Sequence, residues 1–451
     1  MAAVVQLATR PLPQKLRVGI FADTAWQPRW RVEACAKIAA CDFAEISRLE
    51  TGNIPAGRPP WAYRVAEHDQ LLDLRKYVST SANGDLDVAF ALDGFDDSRL
   101  DGIARLGVWR LHADGVREVV HGAPLTACSL KVRLAAGTEP RVAVQSWSRT
   151  ERLSIAANRA QVLGKAAELP VRGLRDAQRY GLGWLEQCKA TPDSQGQTTI
   201  STARAVTVLL KNQGRALISI LRDAEDQYMA LRRASGPVAP TLKGFTRLPV
   251  KGRMPYLYEG HVFYERDGRI AVLEREKTVF LMEGAYPFVV EEGGARYLVT
   301  GNRLYRAVDF PRRWTLVRDL VEHEVLARTT LHRAADCWWL FATGRFDDEL
   351  HLYHAPSLAG PWTAHARNPV KSDARGARPA GRLYWRSGAL YRPAEICVPR
   401  EGAGVALHRV LRLTPHEYAE RHVETLPGLR CVNTEGAVTV VDVVSRRRRF
   451  A

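Results

Sequence analysis

"GAYPFVVEEGGARYLVTGNRLYRAVDF", residues 284–310, decides the fold of the second half of this chain. Its apolar and aromatic runs are broken by Glu-Gly-Gly and Thr-Gly-Asn, the punctuation of tight antiparallel turns, so it reads strand, turn, strand, turn, strand. The same texture returns in "GRMPYLYEGHVFYERDGRIAVLERE" (252–276), "ARTTLHRAADCWWLFATGRFDDELHLYHA" (327–355), "GARPAGRLYWRSGALYRPAEICVP" (376–399) and "LRCVNTEGAVTVVDVVS" (429–445). One such unit cannot bury a core alone. Several antiparallel units of roughly 30 to 50 residues can do so by closing into a ring, which is a β-propeller. Five units over residues 245–445 predict five blades.

The remaining residues leave room for further domains. The chain has 451 residues, with 46% hydrophobic and 25% charged side chains, a globular composition. Its 65 Lys and Arg against 49 Asp and Glu give a formal charge of +16, which favours acidic partners: phosphorylated small molecules, anionic lipid headgroups or nucleic acid. A basic surface kept for solubility is the plainer reading. No nucleic-acid recognition fold is evident and the basic residues are dispersed, so nucleic acid is not an expected partner. Seven cysteines with no CxxC pair suit a reducing, cytoplasmic setting and predict neither a disulfide framework nor a metal site. Nowhere do about 18 apolar residues run together, as a membrane-spanning helix requires.

Toward the N-terminus the texture is α/β. "KLRVGIFAD" (15–23) reads as a buried strand, and "RWRVEACAKIAACDFAEISRL" (29–49) as a helix followed by a second strand. "DLDVAFALDG" (85–94) and "VWRLHADG" (108–115) continue a parallel sheet, with "DSRLDGIARLG" (97–107) predicted helical between them. Ligands of open parallel sheets sit beyond the carboxyl ends of the strands, which singles out Asp23, Asp93 and His112. No GxGxxG or Walker sequence follows the first strand, so no nucleotide cofactor is expected.

"RVGIFADTAWQPRWRVEACAKIAACDFAEI", "DLDVAFALDG" and "ARLGVWRLHADG" resemble a formyltransferase-like domain, here spanning 15–150, found at the N-terminus of a group of bacterial two-domain proteins. The resemblance makes His112 the catalytic candidate. The family's Asn two residues earlier is Arg110 here, its later Asp has only Glu139 as a distant counterpart, and the loop after the histidine is short. A histidine without its positioned donors cannot polarise a formyl carbonyl, so formyl transfer is expected to be lost.

Residues 151–240 are predicted to form a helical connector. Within it, "TARAVTVLLKNQGRALISILRDAEDQYMALRRA" (202–234) sets Val208, Leu209, Ile220 and Leu221 amid Arg204, Lys211, Arg215 and Arg222. Such a face either packs on its own protein or lies on an anionic membrane, the second reading giving peripheral contact at the inner membrane.

A second resemblance lies in the repeats. "GAYPFVVEEGGARYLV", "RLYRAVDFPRRWTLVRDLV", "NPVKSDARGARPAGRL" and "ALYRPAEIC" resemble the propeller at the N-terminus of plant glucosamine inositolphosphorylceramide transferases, which is similar in fold to furanosidases with an axial funnel. The resemblance implies a ligand site in that funnel. Arg375, Arg378, Arg382 and Arg392, with Asp373 and Glu395, are the candidate ligand-binding residues, since guanidinium groups on rigid strands make a fork-shaped receptor for phosphate or carboxylate. The alternative is that these arginines pair with Asp373, Glu395, Asp347, Asp348 and Glu349 to lock blades together. Glycoside hydrolysis needs two facing carboxylates. The first-strand stretches "RMPYLY", "AYPFVV" and "LARTTLH" carry none, which leaves Glu283, Glu324 or Glu395 as shifted replacements; hydrolysis is expected to be lost in a cationic funnel short of acids. Two functions from different classes stay open: a transferase-like protein of glycan, glycolipid or specialised-metabolite synthesis that takes an anionic small molecule or phosphorylated sugar, and a non-catalytic subunit that docks a partner enzyme or peptide.

Overall fold

The computed structural model describes residues 15–53, 64–80, 84–92, 97–191, 200–233, 243–334 and 337–448. Asp93 falls outside them. The chain divides into two compact units, Met1–Arg215 and Ala216–Ala451.

In the first unit, β1 (Leu16–Ala22) pairs in parallel with β2 (Ala44–Thr51) and β3 (Val88–Ala91), and β3 in parallel with β4 (Val108–His112). β5 (Leu125–Arg133) and β6 (Arg141–Arg149) add antiparallel, which completes a six-stranded mixed sheet in the order β2-β1-β3-β4-β5-β6. The crossover helix α1 (Arg29–Ala39) buries Trp30, Val32, Cys35 and Ile38, the apolar positions its period predicted. The helix expected over 97–107 is only a single turn, Asp97–Leu100, because the chain then enters left-handed backbone at Gly102 and Gly107.

The helices assigned to a connector belong partly to this unit. α2 (Ile155–Ala166), capped by the Ser154 hydroxyl, and α3 (Leu169–Gln187) bury Val162, Leu163, Leu169 and Leu174 in one core with Leu16, Ile20, Trp109 and Leu130. Sequence period finds such helices but does not say what their apolar faces cover. α4 (Thr202–Arg222) ends where the sequence reading continued it: Asp223–Arg233 is a strand.

That strand closes the second unit. Its five blades are antiparallel sheets built mostly from consecutive strands, four of them four-stranded and one with a fifth short strand. Blade I holds Arg253–Tyr258, His261–Arg266, Arg269–Glu274 and Lys277–Glu283; blade II, Phe288–Glu292, Ala295–Thr300, Arg303–Asp309 and Arg313–Asp319. Blade III runs from Ala327–Ala334 to Thr363–Ala364, with Lys371–Ser372 pairing onto Glu349–Ala355, and blade IV from Tyr384–Arg386 to Tyr418–Pro427. Blade V joins Leu429–Glu435 and Val438–Arg448 to Asp223–Arg233 and Thr246–Arg247, so both ends of the unit share one sheet, with Val438 opposite Arg233 and Arg448 opposite Asp223. This pairing fastens the ring, as a propeller needs.

Burial falls outward along each blade, which explains the sequence texture. Arg253–Tyr258 is buried at every position after the first, whereas the outer strand Arg313–Asp319 is exposed at all positions but one. Inner strands have neighbours on both faces and can be continuously apolar; outer strands meet water.

Candidate functional site

The inner strands share a backbone device. Met254, Tyr286 and Arg328 each take a left-handed conformation, with φ of 54°, 55° and 52°. The ladder slips beside two of them, between Arg253 and Tyr256 and between Ala327 and Thr330. A bulge at a left-handed residue re-aims one side chain out of the strand's alternation, at a conformational cost that the surrounding packing must offset. Here Met254 and Tyr286 bury against Cys431. The Tyr286 hydroxyl accepts the Gly381 N–H at 2.7 Å and lies 3.0 Å from the Thr330 hydroxyl. Gly381 must be glycine: a Cβ there would sit 1.9 Å from the Val432 carbonyl oxygen.

Beside this plug opens a pocket of about 580 Å³ whose lining includes Met254, Tyr286, Asn302 and Tyr305, within the size range of small-ligand sites. Four arginines reach it: Arg253, Arg303, Arg328 and Arg430. Two of them converge on one carboxylate. Glu395, 0% exposed, lies 2.8 Å from Arg328, 3.5 Å from Arg378 and 3.6 Å from Arg430, and accepts the Gly402 N–H at 2.8 Å. These three arginines come from three different blades or the segments leading into them. Arg378 also reaches Asp347 at 2.8 Å and Glu401 at 3.3 Å. Asp442, fully buried, accepts the Met254 N–H at 3.0 Å and so holds the left-handed turn; burial pushes its carboxyl up to about 6.

The pocket is not short of acids. Glu265, Glu283, Asp319, Glu324, Asp347 and Glu401 line it. None sits on an inner strand: Glu265 is on a second strand, Glu283 and Asp319 end fourth strands, and the other three lie in connections. Inspecting inner-strand stretches alone therefore missed them. Two of the three named shifted acids, Glu283 and Glu324, are in the lining, while the third, Glu395, is neutralised behind it. Arg253 pairs with Glu265.

The arginines of 371–395 are dispersed instead of meeting at a mouth. Arg375 forks onto Asp373, at 2.8 and 2.9 Å, on the surface. Arg378 is enclosed by acids, as in the blade-locking alternative. Arg382 stacks over Tyr256 and donates to its hydroxyl, bridging to blade I. Arg392, whose side chain is 1% exposed, is far from an open funnel position: it grips Glu420 with two 2.8 Å bonds inside blade IV, because the ladder from Ala389 to Ile396 turns it toward the Tyr418–Pro427 strand. The signal that would have found Arg328 and Arg430 is their place in the repeat. Met254, Tyr286, Arg328, Arg378 and Arg430 all occur where a blade begins, three of them before a proline.

In the first unit, His112 ends β4 half-buried, its backbone paired with Ser129. Burial raises the pKa of Asp23, while Arg110 and Arg31 act against it.

The family described as glucosamine inositolphosphorylceramide transferase 1, N-terminal, matches residues 278–429, which include "NPVKSDARGARPAGRL". A protein named glucosamine inositolphosphorylceramide transferase 1 from Oryza sativa subsp. japonica is 37% identical over 150 residues, covering 30% of this chain and 20% of that protein. Its namesake from Arabidopsis thaliana is 28% identical over 152 residues, covering 31% and 20%. The chain thus spans about a fifth of the length of these relatives. Among solved structures, an α-L-arabinanase from Cellvibrio cellulosa aligns with 13% identity over 37% of this chain and 75% of its own, at a TM-score of 0.28. The family match lies within the second unit and does not bear on the formyltransferase-like reading of 15–150.

Proposed function

We propose that this chain acts in glycolipid or glycan assembly, and that its propeller pocket holds a polyhydroxylated ligand bearing a phosphate, of the kind represented by an inositol phosphate headgroup. The observation that carries the reading is the pair Arg328 and Arg430, both lining the pocket and sharing one buried carboxylate with Arg378. Arg378 has Asp347 and Glu401 as further partners, so Glu395 is left between Arg328 and Arg430, and one carboxylate between two guanidinium groups leaves a local positive charge that favours an anion beside them. The carboxylates of the walls accept hydroxyl hydrogen bonds, and Asn302 can donate and accept them. The relatives named for transfer to inositolphosphorylceramide support the ligand class, through their N-terminal part only.

Binding, rather than bond cleavage, is assigned to this pocket, since the left-handed positions where the first three blades begin hold Met254, Tyr286 and Arg328, and none of these is an acid. This favours the subunit alternative over catalysis by the propeller itself. Formyl transfer has no part in the reading, with Arg110 where a formyltransferase-like site would need an amide. Calorimetric titration of the full chain with myo-inositol 1-phosphate, myo-inositol and inorganic phosphate tests it. The phosphate ester should bind best, and Arg328→Met or Arg430→Met should weaken it at least about tenfold, the loss of one charge-assisted contact. Equal binding of inositol and its phosphate, or no binding of either, would end the proposal.

A further inference from the structure

α4 carries two rows of exposed side chains against which no described part of the fold packs. At 3.6 residues per turn, Leu210 and Leu217 share a face, with Ile218 on its flank. They are 63%, 60% and 59% exposed, among the most exposed large apolar side chains described. Arg204, Lys211 and Arg215 recur at i, i+7 and i+11, so they form a second row about 120° round the helix from the first, with Ile218 between the two, and all three are exposed. The opposite side is already occupied: Ala205, Val208 and Leu209 pack on Val116, Val119, Val120 and Ile155, and the Asn212 amide donates to the Arg152 carbonyl at 2.9 Å. Of the two readings of Val208 and Leu209, packing on the protein or on a membrane, the first is the one seen, and the outward apolar row is one residue further round. Ile220 and Leu221 have side chains outside the described residues.

We infer that this face docks on an anionic lipid bilayer. An apolar row and a basic row, with Ile218 between them, on the side of the helix away from its anchor and with no Asp or Glu from Thr202 to Arg222, fit an interface where acyl chains lie under phosphate groups. A second copy of the same face would set like charges against each other, so charge complementarity selects the membrane. The arrangement is independent of the pocket, and the two fail separately.

Co-sedimentation of the full chain with vesicles tests the inference. Vesicles of equimolar phosphatidylcholine and phosphatidylserine should retain the protein, and phosphatidylcholine alone should retain more than about tenfold less, given roughly fivefold per basic residue near an anionic surface. Lys211→Glu with Arg215→Glu should lower retention by a similar factor, and Leu210→Ser with Leu217→Ser should lower it independently of salt. All four positions are exposed, and an unchanged circular dichroism spectrum and urea midpoint confirm that the variants are folded. Equal retention on both vesicles, retention on neither, or a dimer that dissociates in the serine variant without any vesicle effect each overturns it.

Discussion

Blade IV contains two carboxylates held among cations, Glu395 with its side chain 0% exposed and Glu420 with 7%, and they behave differently. Glu420 is saturated: Arg392 takes both oxygens at 2.8 Å, Lys371 lies at 2.7 Å, and the Tyr418 hydroxyl donates at 2.5 Å. Burial alone would raise its pKa, yet Arg392 and Lys371 outweigh that and hold the carboxyl well below its usual range. Glu395 is the more deeply buried, but of its three arginines only Arg328 is within 3 Å, and two of the three open onto the pocket. Identical residue types thus make a closed structural lock in one place and a charged, unsaturated wall in the other. What separates them is whether the blade's own strands supply enough partners.

The largest expected effect breaks that contrast most directly. Glu420→Gln should cost about 3–5 kcal/mol, since it leaves the buried Arg392, and the partly buried Lys371 beside it, without their anion. Glu395→Gln should cost less, about 1–3 kcal/mol, and should tighten binding of myo-inositol 1-phosphate by removing the competing charge. Urea unfolding of both variants reads the ordering; equal costs, or weaker phosphate binding in Glu395→Gln, would make the two clusters equivalent.

A smaller effect comes from His408, which lies beside the lock, 3.0 Å from Lys371. Burial, with Arg392 and Lys371 acting in the same direction, lowers its pKa to about 3 although Glu420 opposes them. The folded chain keeps this ring neutral while the unfolded chain protonates it below its ordinary value of 6.5. Its contribution is therefore complete above that value and is lost as pH falls from 6.5 toward 3. His408→Leu should flatten the stability profile in that window; a profile with unchanged slope would show that the ring titrates alike in both states.

The smallest effect is expected at Arg375. Its fork onto Asp373 is exposed, with half of the arginine side chain in water, and such pairs contribute about 1 kcal/mol or less. Arg375→Ala should leave unfolding nearly unchanged and phosphate binding intact. A large loss of either would return this arginine to the site.

Much of the fold was legible in the chain. The aromatic hairpins from 252 to 445 gave their turns away through Gly and Asp, and the opening strand, helix and strand of the first unit followed from period alone. Asp223–Arg233 was not legible: "DAEDQYMALRR" has no β-branched residue, continues the pattern of a preceding helix, and becomes a strand only because Val438–Arg448 lies alongside it. The site was read less completely. Arginine abundance was visible, but the assignment of each guanidinium was not: Arg378, Arg382 and Arg392 lie within one short stretch and reach three different surroundings.

By itself the sequence determined the repeat, the number of blades, the absence of acids at the inner-strand starts, and a surplus of positive charge, because these depend on local period and composition. Only the tertiary structure decided which charges cancel. Pairing is set by distances between side chains far apart in the chain, such as Arg328 with Glu395 or Asp442 with the backbone of Met254, and those distances exist only once the ring has closed.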